Sequence, residues 1–180
     1  VRVDVGYGGA FMVFADIGQF GIELEKKKIQ DMLDIAMECG RCAIDQLEMA
    51  HPDDPGLNAK DNGICMILFA EEGEREGVIS TRTFTVFGKR QFDRSPTGTG
   101  TSALAAVFYE KGRLQEGKRL ENRGISGIPF TVTIERTEGG QVIPTIHSRA
   151  YLMGKGCLLL EEDDPLQDGF SVKCGEEVEI

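Results

Sequence analysis

The chain has 180 residues and carries 20 basic and 30 acidic side chains for a net charge of −10, with 41% hydrophobic and 28% charged residues. That length suits one domain, or one and a half, with a real hydrophobic core, and the composition is that of a soluble globular protein rather than a disordered one. An acidic surface repels phosphate backbones and no basic cluster is interleaved with aromatics, which argues against nucleic acid as a partner; no uncharged apolar run is long enough to cross a membrane.

Val1 to Val5 alternates with period two and reads as a half-buried strand. With Arg2 and Asp4 inside it, this stretch does not read as a secretory signal. Because the chain lacks an initiator methionine, it is expected to start inside something longer. Tyr7-Gly8-Gly9 reads as a turn and Ala10 to Ala15 as a second strand, together a hairpin. From Glu25 to Ala50, Ile29, Met32, Leu33, Ala36, Ala43 and Leu47 recur at helical steps. His51-Pro52 is expected to end that helix, since proline disfavours helix in the residue before it.

A polar loop is expected over 53–63, a buried strand over Ile64 to Ala70, and a charged hairpin turn over Glu71 to Gly77. Val78 to Phe87 alternates again. Gly88 to Gly100 is irregular and leads into a helical pattern from Thr101 to Leu114. Thr131 to Leu160 reads as short strands separated by Gly-Gly and Met-Gly-Lys-Gly turns. Helices are too few for a doubly wound sheet, so the fold class is α+β with mostly antiparallel strands. Ala103 to Tyr109 is apolar almost all round, which predicts a central helix enclosed by sheet.

The five cysteines, Cys39, Cys42, Cys65, Cys157 and Cys174, are odd in number in a large unstapled domain, which suggests reduced thiols and a cytoplasmic setting. Cys39 and Cys42 have redox or metal spacing, but no second pair or nearby histidine completes a site. They read as small residues in a helix. No metal is expected.

Asp93-Arg94-Ser95-Pro96-Thr97-Gly98-Thr99-Gly100-Thr101-Ser102-Ala103 carries the chemistry. Free amides at Gly98, Thr99 and Gly100 would open the buried helix, and the helix dipole adds partial positive charge there. That arrangement suits a carboxylate or phosphate, and Asp93 could face a cation bound at the same place. An amino acid carries both charges. The same residues also serve as ordinary helix caps after a plain turn, and physics alone leaves both readings open.

The stretch resembles the signature of the proline racemase family, differing only at Thr97, where the family carries its second catalytic cysteine. Supporting matches are Tyr7-Gly8-Gly9-Ala10-Phe11, His51-Pro52, and Asp163-Asp164-Pro165-Leu166 with Gly169-Phe170. The resemblance covers the C-terminal half of the family; the other signature, Met-Cys-Gly-His, is not in this sequence. It implies a lobe like that of diaminopimelate epimerase, a curled sheet around a buried central helix. Residues 1–170 would form the C-terminal lobe of a two-lobed enzyme, and residues 171–180 are expected to return to the N-terminal lobe.

The resemblance also implies roles. Gly98 and Thr99 would give amides to a substrate carboxylate, Asp93 would contact the ring nitrogen, and Phe87 would line the pocket. Thr97 would take the second catalytic position. No cofactor is implied, and the substrate would be a small proline-like imino acid. A hydroxyl is a far weaker acid and base than a thiol, so two-base racemization should fail. Dehydration of trans-3-hydroxy-L-proline is the expected reaction. Proline racemase or 4-hydroxyproline epimerase chemistry is the alternative, as is a non-catalytic fragment. The chain alone is expected to be inactive and to self-associate through apolar surface left by the other lobe.

Overall fold

The computed structural model describes residues 1–51, 53–54, 56–138 and 141–169. They divide into one unit from Val1 to Arg149 and a second from Ala150 onward. In the first, β1 (Val3–Tyr7) and β2 (Phe11–Asp16) form the expected hairpin, followed by α1 (Ile29–Gln46) and a single helical turn, α2 (Ala59–Asn62). Then come β3 (Cys65–Arg75), β4 (Val78–Phe87) and the short β5 (Gln91–Phe92). The helix α3 (Gly98–Glu110) precedes β6 (Arg119–Arg123), β7 (Pro129–Glu138) and β8 (Gln141–His147).

The strands form one sheet in the order β1-β2-β3-β4-β6-β7-β8, with β5 beside β4. The β2–β3 and β4–β6 pairs are parallel and the other pairs antiparallel, so the sheet is mixed but mostly antiparallel. Neighbouring strands lie about 4.8 Å apart, so seven laid flat would span about 29 Å, far more than a helix roughly 10 Å across. Yet α3 packs against β1 and β2 at one end of the order and β7 and β8 at the other. The sheet must therefore curl round the helix, as its apolar circumference predicts.

Because β2 is buried on both faces, it serves two cores. Met12 and Phe14 pack toward α3 with Ile67, Ile79, Leu104, Leu120 and Val132. Phe11, Val13 and Ala15 pack on the opposite side, with Met32, Leu33 and Ala36 of α1 and with Phe84 and Val86. α3 is the inner helix; Ala103, Leu104 and Ala105 are all 0% exposed.

Several elements differ from expectation. α1 stops at Gln46 because the following chain pairs elsewhere: His51 N–H donates to Leu57 O (2.8 Å) and Ala59 N–H to Met49 O (2.9 Å). α3 ends at Glu110 rather than Leu114. Gly112 adopts φ +68° there, and the Arg113 and Leu114 amides fold back onto Phe108 O. The charged segment after Ala70 is mostly strand, with the turn reduced to Glu76-Gly77; both have positive φ (53° and 75°), as a tight two-residue hairpin requires. β6 was not foreseen, because Asn122 disguises an alternating strand whose Leu120 and Asn122 are both 0% exposed.

In the second unit, the expected strands between Ala150 and Leu160 do not form. A strand forms only where a neighbouring strand accepts its backbone bonds, and β8, the last described strand, ends at His147. Leu152, Met153, Leu158, Leu159 and Leu160 are exposed there. The Asp-Asp-Pro-Leu match is a turn in which Asp164 Oδ1 accepts from the Leu166 amide at 2.9 Å. Residues 171–180 lie outside the described residues, as does Phe170.

Thr81, Thr83 and Thr85 follow Ile79 along one side of β4 and are all buried. Thr83 Oγ1 bonds Asn122 Oδ1 at 3.1 Å, while Thr85 Oγ1 has no hydrogen-bond partner among the described residues. A buried hydroxyl without a partner costs stability, and one with a partner adds it. Thr85→Val should therefore raise the urea-unfolding free energy by about 1 kcal/mol, while Thr83→Val should lower it by a similar amount.

Candidate functional site

The loop from Asp93 to Thr97 carries the candidate side chains, and local bonds wind it tightly. The Asp93 amide donates to Thr85 O at 3.0 Å, which extends the β4–β5 pairing by one residue. Asp93 Oδ1 accepts from the Ser95 amide at 2.8 Å, and Ser95 Oγ accepts from the Thr97 amide at 3.1 Å. The Thr97 hydroxyl donates to Asp93 Oδ2 at 2.9 Å. Asp93 and Thr97 are thus brought together, both half-buried.

Thr97 is the residue immediately before α3, at φ +65° and ψ +119°, with no side-chain bond to the helix amides. A β-branched side chain at positive φ is a strained conformation, of the kind that collects at functional sites. Nothing in the identity of the residue announces it. Gly98 and Thr99 follow as the first, exposed residues of α3. Their amides have no carbonyl one turn earlier in the helix to bond. Arg94 is exposed and Ser95 serves the loop.

Phe87 stands at the end of β4, 40% exposed. It lines an open groove of about 380 Å³ with Met37, Gly40 and Ile44 of α1 and with Ile64. Neither Asp93 nor Thr97 borders that groove.

Two glycines let the surrounding chain approach this loop and helix start. A Cβ on Gly8 would lie 2.3 Å from Thr99 O and 2.9 Å from the Ala103 amide nitrogen. A Cβ on Gly124 would lie 2.7 Å from the Ser95 carbonyl carbon. Gly8 belongs to the turn read from the sequence; Gly124 was missed, since a lone glycine after an unrecognised strand carries no local signal. His51 of the His-Pro match stacks edge-on against Tyr7, ring centroids 4.8 Å apart, which ties the exit of α1 to the same turn.

A model of the proline racemase family matches residues 1–171. The chain belongs to the proline racemase family. It is 32% identical over 174 residues to a 4-hydroxyproline 2-epimerase of Allorhizobium ampelinum, covering 94% of this chain and 48% of that protein. It is 31% identical over 190 residues to proline racemase A of Trypanosoma cruzi, covering 96% and 44%. The crystal structure of a hydroxyproline epimerase from Agrobacterium vitis, with trans-4-hydroxy-L-proline bound, superposes with a TM-score of 0.73 at 30% identity, covering 95% of this chain and 48% of that one. The chain spans about half the length of the curated relatives it matches.

Other chemistry is sparse. Among the described residues, no three or more His, Cys, Asp or Glu side chains are grouped to hold a metal ion, and no helix is long and apolar enough to cross a membrane. Cys39 and Cys42 lie one turn apart on α1. Burial, followed by the charge of Cys42, pushes the Cys39 thiol above its usual range, away from the reactive thiolate form.

The contact at Gly8 yields a test. Gly8→Ala forces the hairpin turn away from the first turn of α3, an overpacking that typically costs about 1–3 kcal/mol. Thermal unfolding should show the loss, and the change should exceed that of Gly21→Ala, where a Cβ meets nothing within 4 Å and the backbone conformation, φ +67°, is the unfavourable feature.

Proposed function

We propose that this chain is the carboxylate-binding lobe of a cofactor-independent enzyme that acts at the α-carbon of a proline-like imino acid, within a two-lobed arrangement of the diaminopimelate epimerase kind. Membership of the family, the exposed residues Gly98 and Thr99 opening α3, and Asp93 bonded to Thr97 just before them support this reading. The amides would take the substrate carboxylate and Asp93 the ring nitrogen; Phe87, which lines a groove bordered by neither Asp93 nor Thr97, is not part of the proposed site.

The observation that supports elimination is the Thr97 hydroxyl, which directs its single proton to Asp93. A group so engaged, with a hydroxyl's high pKa, is a poor proton donor to the far face of a carbanion. Elimination needs no such donor. A base from the part of the relatives' length that this chain does not span takes the α-proton. The C–H electron pair becomes the Cα–Cβ double bond, the bond from Cβ to its hydroxyl breaks, and the oxygen leaves as water by taking back the proton that the base has just removed from the α-carbon. The reading is dehydration of trans-3-hydroxy-L-proline to an unsaturated pyrroline carboxylate. A second reading is inversion at the α-carbon, as a proline racemase or 4-hydroxyproline epimerase. The names of the relatives favour that one.

One assay separates the two. The full-length protein is incubated with L-proline, trans-4-hydroxy-L-proline and trans-3-hydroxy-L-proline in turn, and chirality and imine formation are followed. Imine from the third substrate alone is expected, and rapid inversion of either of the first two would overturn the dehydratase reading. Thr97→Cys should then raise inversion by about 10²-fold or more, the usual contribution of a positioned acid or base.

A further inference from the structure

We infer that Asn122 is a positioning residue for this site, holding the Pro96–Thr97 peptide from beneath. Its effect on catalysis rests on the proposed function; its effect on the loop does not. Asn122 is 0% exposed and lies on β6 directly opposite Thr81 of β4. Thr81 and Thr83 each place a hydroxyl 3.1 Å from Asn122 Oδ1. On its other side, Nδ2 lies 3.0 Å from Thr101 Oγ1 and 3.5 Å from Pro96 O. Thr101 Oγ1 also donates to Pro96 O at 3.2 Å. A carbonyl only accepts, so the amide nitrogen must face Pro96, and the orientation of the side chain is determined by its partners.

This one side chain thereby joins two sheet strands, the first turn of α3 and the peptide that enters Thr97. That peptide needs holding. Thr97 has φ +65°, and a strained residue persists only where its surroundings over-determine it. Each neighbouring polar group is in fact engaged. The Thr97 amide bonds Ser95 Oγ, its hydroxyl bonds Asp93, its carbonyl accepts from the Thr101 amide at 2.8 Å, and the Pro96 carbonyl is gripped by Thr101 and Asn122. Every grip but that of Asn122 comes from the loop or helix itself. Asn122 alone among these ties the bend to the sheet, and two residues on, Gly124 lets the same chain lie against Ser95 and Pro96. Losing the Nδ2 donor leaves the direction of the Thr97 hydroxyl and the Gly98 and Thr99 amides to the loop, where misplacement by about 1 Å can cost about 10²-fold in rate.

The test uses the full-length protein with Asn122→Asp, which preserves shape and the acceptor toward Thr81 and Thr83 but removes the donor. Thr101→Val is a second, milder variant should the first fail to fold. Met32→Ala, at a buried residue of α1 on the other face of the sheet, is the control for general destabilisation. Amide resonances of ¹⁵N-labelled protein are expected to shift or broaden at Thr97, Gly98 and Thr99 in both network variants and to stay in place in Met32→Ala. On whichever imino acid the wild type converts, kcat should fall at least about tenfold with KM changed less than about threefold, while Met32→Ala lowers the unfolding temperature and keeps kcat. Unmoved Thr97–Thr99 amides in the network variants, or equal movement in Met32→Ala, would overturn the inference. A wild type inactive on every imino acid would instead overturn the proposed function, with the amide resonances still deciding the role of Asn122.

Discussion

Along most of its length α3 has no side to give to water. Ala103, Leu104, Ala105, Val107 and Phe108 are buried around its circumference, and a helix of that kind is stable only when surrounded. The mixed sheet answers by curling until β1 and β8, its two ends, both touch the helix. Once the helix is enclosed, its N-terminal end cannot be placed freely. It must emerge between the hairpin turn at Gly8 and the strand end at Gly124, and both glycines are spaces in which a Cβ would strike backbone.

The same enclosure makes the loop before the helix short and bent. Five residues connect β5 to α3, and the bend falls on Thr97. Its unfavourable φ is compatible with a stable fold because the bonds around it are numerous and mutually supporting, from Asp93 and Ser95 in the loop to Asn122 in the sheet. The helix amides at Gly98 and Thr99 stay uncapped because the Thr97 side chain turns back to Asp93 instead of forward to them. Strain, an uncapped helix start and an adjacent carboxylate thus arise from one local geometry.

Much of this was legible in the chain. Helical spacing of Ile29, Met32, Leu33 and Ala36 marked α1, alternation marked β1, β2 and β4, and the apolar circumference of Ala103 to Tyr109 marked the enclosed helix. These patterns are strong because burial imposes them residue by residue. The loop signature likewise disclosed Asp93, Thr97, Gly98 and Thr99 as neighbours in space, since four to six residues of chain can hardly separate them. Element ends were less legible, because they are decided by partners distant in sequence: Leu57 and Ala59 draw the chain out of α1, and β3 continues through charged residues because β4 is there to bond it.

By itself, then, the sequence determined the elements with one buried face, the inner helix and the chemical character of the loop, all properties of residue type and near-neighbour spacing. Only the tertiary structure decided what holds that loop. Asn122 and Gly124 are polar and small residues with no local pattern, and they acquire meaning when β6 pairs in parallel with β4 and arrives under Pro96. The positive φ of Thr97 is of the same kind: no local preference of threonine produces it, and it exists because a buried helix, a curled sheet and a short connection leave the backbone no other course.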